Sequence, residues 1–250
     1  MRYAFAGDRK ISVTILKFII SKGYKPSALF ISDSTKSSHC KELIDLSGLT
    51  DDFIFRGNSF KNNFEKLQTL NLDYIFGIHF PYIIPTEFLE LPKIGFLNLH
   101  PAYLPYNKGW HTPSWAIIDG TPYGATLHFM TEKLDEGNII HQKKIEVKPS
   151  DTAHTLYNRV MTVEEEVFTK AFESIKNLKP KSTPQTHVGT NHSKKDLKSV
   201  QEIDLNKTYS GRELIDLLRG LTTNKIEEAA YFKKGDDTYY IQVNISKQIN

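Results

Sequence analysis

The chain has 250 residues, 39% hydrophobic and 24% charged, the balance of a soluble globular protein with room for one large domain and a small appendage. Its 32 basic and 29 acidic residues leave a formal net charge of +3, too small a surplus for a nucleic-acid wrap but suited to an anionic small substrate. Cys40 is the single cysteine, which excludes an intrachain disulfide framework and points to a reducing compartment.

In chain order, "RYAFAG" predicts a first strand. "DRKISVTILKFIISKG" follows with Ile11, Ile15, Phe18 and Ile19 at helical spacing and Gly23 as a stop. The N-terminal apolar stretch is too short for a secretory signal, so a cytoplasmic protein is expected. "SALFIS" reads as a second strand, "HCKELIDLSG" as a short helix and "FIF" as a third strand. "SFKNNFEKLQTL" sets Phe60, Phe64 and Leu67 on one helical face. "LDYIFGI" and "IGFLNL" read as strands around a short helix between Pro85 and Leu91. Short apolar runs alternating with helices predict an α/β fold, a Rossmann-like, mostly parallel sheet with flanking helices. "YIFGIHFPYIIP" is the most apolar region, but its prolines and length rule out a membrane span.

The pattern changes near residue 120. "GATLHFMTE" and "NIIHQKKIEV" read as strands joined by "KLDEG", and residues 150–178 as one long helix. Its apolar positions run from Ala153 through Val160 and Val167 to Leu178 at gaps of three and four. Residues 180–208 are polar and turn-rich, a linker or surface-running segment. "SGRELIDLLRGLT" is a short helix with Ser210 and Glu213 spaced as a capping box. "AYFKKGDDTYYIQVNI" reads as a hairpin with Tyr239, Ile241, Val243 and Ile245 on one face. The expected division is a catalytic domain over 1–180 and a linker, helix and β-hairpin over 181–250. An apolar face at a terminal hairpin needs cover, so a two-fold homodimer is expected.

Asn98 and His100 close the run "GFLNLHP". Side chains alternate along a strand, so both share one face, and Pro101 puts His100 at the strand's carboxyl end. Ligands bind at that edge of open α/β sheets. An amide can donate to a developing oxyanion and an imidazole can move a proton. Read alone, the three-residue pattern is ambiguous, and two polar side chains that satisfy a loop explain it more often than a catalytic pair does.

The longer run "NLHPAYLPYNKGWHTPSWAIIDGTPYGATLHFMTEKLDEGNII" removes that ambiguity. It resembles the formyltetrahydrofolate-dependent formyltransferases, whose shared pattern is N-x-H-P, L-P-x-x-[RK]-G, P-x-x-W-A-I-x-x-G and D-x-G-x-I. Asn98, His100 and Pro101; Leu104, Pro105, Lys108 and Gly109; Pro113, Trp115, Ala116, Ile117 and Gly120; and Asp135, Gly137 and Ile139 carry it here. The resemblance spans roughly residues 77–140. It implies a catalytic set of Asn98, His100 and Asp135, the last of which spacing alone would read as a plain turn aspartate. "GIHFPYIIP" resembles the family's folate-side loop, which makes Ile78, His79, Phe80 and Ile84 the expected contacts for N10-formyltetrahydrofolate and the tetrahydrofolate product.

Within the family, "AGDR", "PYNKGWHTPSWAI" and "GTNHSKKDL" look most like the sugar N-formyltransferases that act on dTDP-linked amino sugars. The resemblance implies transfer of a formyl group to a dTDP-amino sugar, best the 4-amino-4,6-dideoxyglucose derivative, for lipopolysaccharide O-antigen synthesis. Arg9 and Lys10 open the first helix, where cations suit a diphosphate. Trp110 and His111 suit the sugar, and Tyr231 or Phe232 suits the base. Taken singly, each of these aromatics is more readily read as a core or interface residue, and the two cations equally suit a solvated surface. No metal is expected, since the nine histidines show no H-x-H or H-E-x-x-H spacing. Rival readings are a methionyl-tRNA formyltransferase, which needs a broader basic face, a glycinamide ribonucleotide formyltransferase, which needs a glycine-rich loop after the first strand, and a non-catalytic nucleotide-sugar-binding module.

Overall fold

The computed structural model describes residues 1–33 and 38–248. In chain order the elements are β1 (Tyr3–Gly7), α1 (Lys10–Ser21), β2 (Ala28–Ile31), α2 (Cys40–Ser47), β3 (Ile54–Arg56), α3 (Phe64–Thr69), β4 (Tyr74–Ile78), α4 (Thr86–Leu89) and β5 (Gly95–His100). Then come β6 (Lys108–Gly109), α5 (Thr112–Ile118), β7 (Tyr123–Phe129), β8 (Ile139–Ile145), α6 (Ala153–Lys176), β9 (Asn191–His192), α7 (Asp196–Gln201), α8 (Gly211–Gly220), β10 (Ala230–Lys234) and β11 (Asp237–Ile241). They group into two compact units. The first holds Met1–His100, Thr126–Gln142 and Glu164–Gln185, and the second Pro101–Ala125, Lys143–Val163 and Thr186–Asn250.

A seven-stranded sheet runs in the order β3-β2-β1-β4-β5-β7-β8. The pairs from β3 to β5 are parallel and β5 pairs antiparallel with β7. This is the mostly parallel α/β fold expected from the strand and helix alternation. The central strands are buried on both faces, as their unbroken apolar runs require: every residue of β1, β2 and β4 is buried. In the first unit Phe30, Phe60, Phe88 and Phe96 form one core with Ala4, Ala28 and Ile75. Phe168 and Phe172 of α6 meet Phe18 of α1 edge-on at 6.3 and 5.1 Å.

Three expectations need correction. The long helix stops at Lys176, and Leu178, read as its last apolar position, is 39% exposed at φ +57°. The hairpin strands end at Ile241, not at residue 245, because Ala230, the first residue of the opposing strand, already pairs with Ile241. Beyond it the chain is tied by other bonds: Gln242 donates to the Thr223 carbonyl and Val243 N–H to Thr222 Oγ1. The segment read as a linker carries β9 and α7. Leu197 is buried there with Trp115, Ile203, Leu221 and Ala230 in a second-unit core that the polar composition of the segment conceals.

Candidate active site

β5 ends where the sequence places its stop, with Leu97 and Leu99 buried on one face and Asn98 and His100 on the other. The register pairs Asn98 with His128 of β7 and His100 with Thr126. Asp135 lies in the β7–β8 connection at φ +53°, only 8% exposed. Its Oδ2 is 3.5 Å from His100 Nε2, and its Oδ1 accepts from Asn98 Nδ2 at 3.4 Å. At 3.5 Å the imidazole and carboxylate sit at ion-pair distance, longer than a formed N–H···O bond. The three residues singled out by motif therefore converge within the first unit.

A fourth member was not singled out. His128 Nε2 lies 3.6 Å from Asp135 Oδ1 and 3.2 Å from Asn98 Nδ2. Its Nδ1 is 2.8 Å from the Phe129 carbonyl. A carbonyl requires a donor, so Nδ1 carries a proton, and Nε2 faces the Asn98 amide. His128 was visible in "GATLHFM", but only the antiparallel pairing of β5 with β7 reveals it as the cross-strand neighbour of Asn98. Together the four side chains offer an amide hydrogen, an imidazole that can take a proton, and a carboxylate between two imidazoles.

Ile78 ends β4, and the loop after it holds the other residues expected on the folate side. Ile78 is fully buried and its carbonyl accepts from Ser12 Oγ at 2.6 Å. His79 sits at φ +52° and its Nε2 is 2.7 Å from Oε1 of Glu164, a fully buried carboxylate that composition gave no reason to flag. Phe80 packs with Phe60 and Tyr82 at ring distances of 5.9 and 5.1 Å, and Ile84 packs on the same cluster. Ile83 between them is 85% exposed.

Arg9 and Lys10 do open α1, but Arg9 is already 3.4 Å from the fully buried carboxylate of Asp8. Asp8 Oδ1 accepts from Ser38 N–H and Cys40 Sγ. A built-in anion thus stands where the sequence suggested a bound one.

Trp110, His111 and Tyr231 belong to the second unit. Trp110 is 44% exposed, with the Lys194 ammonium 5.4 Å over its ring. Burial pushes the His111 imidazole below its usual range. The Tyr231 hydroxyl donates to Glu202 at 3.1 Å, which pushes its pKa up, and Phe232 stacks on Tyr239. Asn107, Gly109 and His111 all have positive φ. β6 in this loop is pinned to β9: Asn107 N–H donates to Thr190 Oγ1 at 2.8 Å, and Trp110 N–H to the His192 carbonyl at 3.0 Å. A Cβ on Gly109 would lie 2.3 Å from that carbonyl, so the close approach needs glycine.

Residues 20–172 match the family model described as formyl transferase, and residues 196–247 the model of the N-formyltransferase dimerization C-terminal domain. A methionyl-tRNA formyltransferase of Lachnospira eligens is 29% identical over 235 residues, 88% of this chain and 72% of that protein. A dTDP-4-amino-4,6-dideoxyglucose formyltransferase of Mycobacterium tuberculosis is 26% identical over 171 residues, 68% of this chain and 72% of that protein. The crystal structure of a 4-N formyltransferase from Francisella tularensis superposes with a TM-score of 0.84 at 29% identity, covering 99% of this chain and 98% of that one. Among the described residues no helix is long and apolar enough to cross a membrane, and no cluster of three His, Cys, Asp or Glu side chains is arranged to hold a metal.

Proposed function

The chain belongs to the formyl transferase family, and from that premise we propose that it carries a formyl group from N10-formyltetrahydrofolate to the amine of a dTDP-linked amino sugar. The observation that carries the reading is the contact of Asp135 with both Asn98 and His100, at 3.4 and 3.5 Å. A pure binding module has no use for such a set. The 26% identity to the dTDP-4-amino-4,6-dideoxyglucose formyltransferase of Mycobacterium tuberculosis favours a sugar acceptor, as does the net charge of +3.

The donor set fits the donor molecule. Ile78 and the loop of His79, Phe80 and Ile84 would hold it, with Phe80 and Ile84 as the apolar wall, and when bound it supplies a formyl group on a tertiary nitrogen. Asn98 Nδ2 donates to the charge that grows on the formyl oxygen, a contribution of about 10²–10³ in rate. His100 accepts the proton of the attacking amine and returns it to the departing nitrogen, worth about 10²–10⁴. Asp135 orients the ring and stabilises its imidazolium form. The 107–111 loop with Trp110 and His111 is the proposed acceptor loop, and Tyr231 the proposed base contact. Lys10 is a better diphosphate candidate than Arg9, which is already paired.

We further propose a catalytic segment over 1–180, a C-terminal segment over 181–250 that joins two copies as a homodimer, and a cytoplasmic role in surface-polysaccharide synthesis. The match to the dimerization model supports the dimer. Mass spectra of candidate dTDP-amino sugars incubated with the enzyme and formyl donor test the function. Gain of one carbonyl unit on dTDP-4-amino-4,6-dideoxyglucose supports it. Formylation of methionyl-tRNA alone would establish the second reading, which the Lachnospira relative favours.

A further inference from the structure

We propose that Gln185 is a positioning residue for the reaction: it holds the loop that presents the Asp135 carboxylate to His100. The inference rests on the proposed function. Asp135 adopts φ +53°, a left-handed conformation that side-chain-bearing residues rarely take. Such a conformation persists only where its surroundings over-determine it.

The Gln185 side chain supplies the restraint. Its Nε2 donates to the Asp135 carbonyl at 2.8 Å and to the Gly137 carbonyl at 2.9 Å. One amide group thus spends both hydrogens on the two carbonyls that bracket the turn. Among the described residues its Oε1 is buried without a partner. Turning the amide over would set that oxygen against two carbonyl oxygens, so the molecule tolerates one orphaned acceptor to keep two donor bonds. The segment that carries Gln185 is itself tied down, because Thr183 and Ile139 exchange backbone hydrogen bonds of 2.9 and 2.8 Å.

The other side of the turn leaves no slack. A Cβ on Gly137 would lie 1.8 Å from the Phe129 carbonyl. That carbonyl is the acceptor of His128 Nδ1, and Phe129 N–H donates to Asn138 at 3.0 Å. The turn is therefore pressed on the strand that carries His128 and gripped from outside by Gln185. Both hydrogen bonds of Gln185 go to main-chain carbonyls, so it acts through Asp135 and not on the reacting atoms.

The test uses full-length protein with Gln185→Ala and Gln185→Met, the second keeping side-chain volume without the donors. With both substrates saturating, kcat should fall about 10- to 100-fold, the scale of a small misplacement of a catalytic group. KM for the amino sugar should change less than about threefold. In NMR titrations without substrate, the His100 midpoint should fall, because an imidazolium loses support when its carboxylate withdraws. That readout needs no acceptor, so it separates failure of this proposal from failure of the assigned function. Wild-type kcat and an unmoved His100 titration in a folded Gln185→Met protein would overturn the proposal. So would a loss confined to KM.

Discussion

Replacing His79 with alanine tests how the loop after β4 is held. Glu164 is 0% exposed, its Oε2 has no hydrogen-bond partner among the described residues, and its Oε1 is bonded to His79 Nε2 at 2.7 Å. Removing the imidazole strands a carboxylate in the protein interior. Breaking a buried pair this way costs about 3–5 kcal/mol. At about 2–4 °C of Tm per kcal/mol for a chain of this size, the midpoint should drop by roughly 6–20 °C. Scanning calorimetry at pH 7, with urea titration to check that the m-value holds, measures it. Glu164→Leu in the His79→Ala background should recover more than half the loss, since a buried pair exchanged for apolar side chains is often close to neutral. A His79→Ala loss below about 1 kcal/mol, the scale of an exposed pair, would refute the claim that this contact is buried and paired in solution.

Asn98→Ala should lower kcat by about 10²–10³, and His100→Ala by about 10²–10⁴, with far-ultraviolet circular dichroism unchanged in both. Burial pushes the pKa values of His111 and His141 below the ordinary histidine value. Folding therefore prefers their neutral forms, so their contribution to stability is present above about pH 6.5 and is lost as pH falls further. Urea midpoints at pH 7.5 and 5.5 should differ in that direction, and less so in a His111→Gln, His141→Gln double variant. Sedimentation should give a dimer for the full chain and a smaller species for a chain truncated after residue 208, whereas a monomeric full chain at micromolar concentration would reject the homodimer.

The sheet was legible because its strands are short apolar runs between helices, and because Pro101 forces β5 to end at His100. The hairpin was over-read because alternation continues to Ile245 while the opposing strand starts only at Ala230. Strand length is set by the partner, and a partner's start is not written in the strand itself. His128 escaped notice for a related reason. A histidine within an apolar strand carries no mark of function until the strand order sets it opposite Asn98. The convergence of Asn98, His100 and Asp135 was foreseeable because they lie in one dense motif.

The remaining legibility gap has a common physical form. Four side-chain-bearing residues in or next to the motif stretch adopt left-handed backbone: His79, Asn107, His111 and Asp135. Each such conformation costs on the order of 1–3 kcal/mol and needs an outside restraint. For three of them the restraint is a side chain far along the sequence. Glu164 meets His79 from 85 positions away, Thr190 meets Asn107 from 83, and Gln185 meets Asp135 from 50. His111 is steadied through its neighbour, whose N–H reaches the His192 carbonyl. The chemistry-bearing groups are thus local in sequence, while the groups that hold them are scattered through α6 and a segment that composition alone marks as linker. A Gln, a Thr or a Glu in such a place matches no catalytic pattern, because its work is done on a neighbour's backbone or ring.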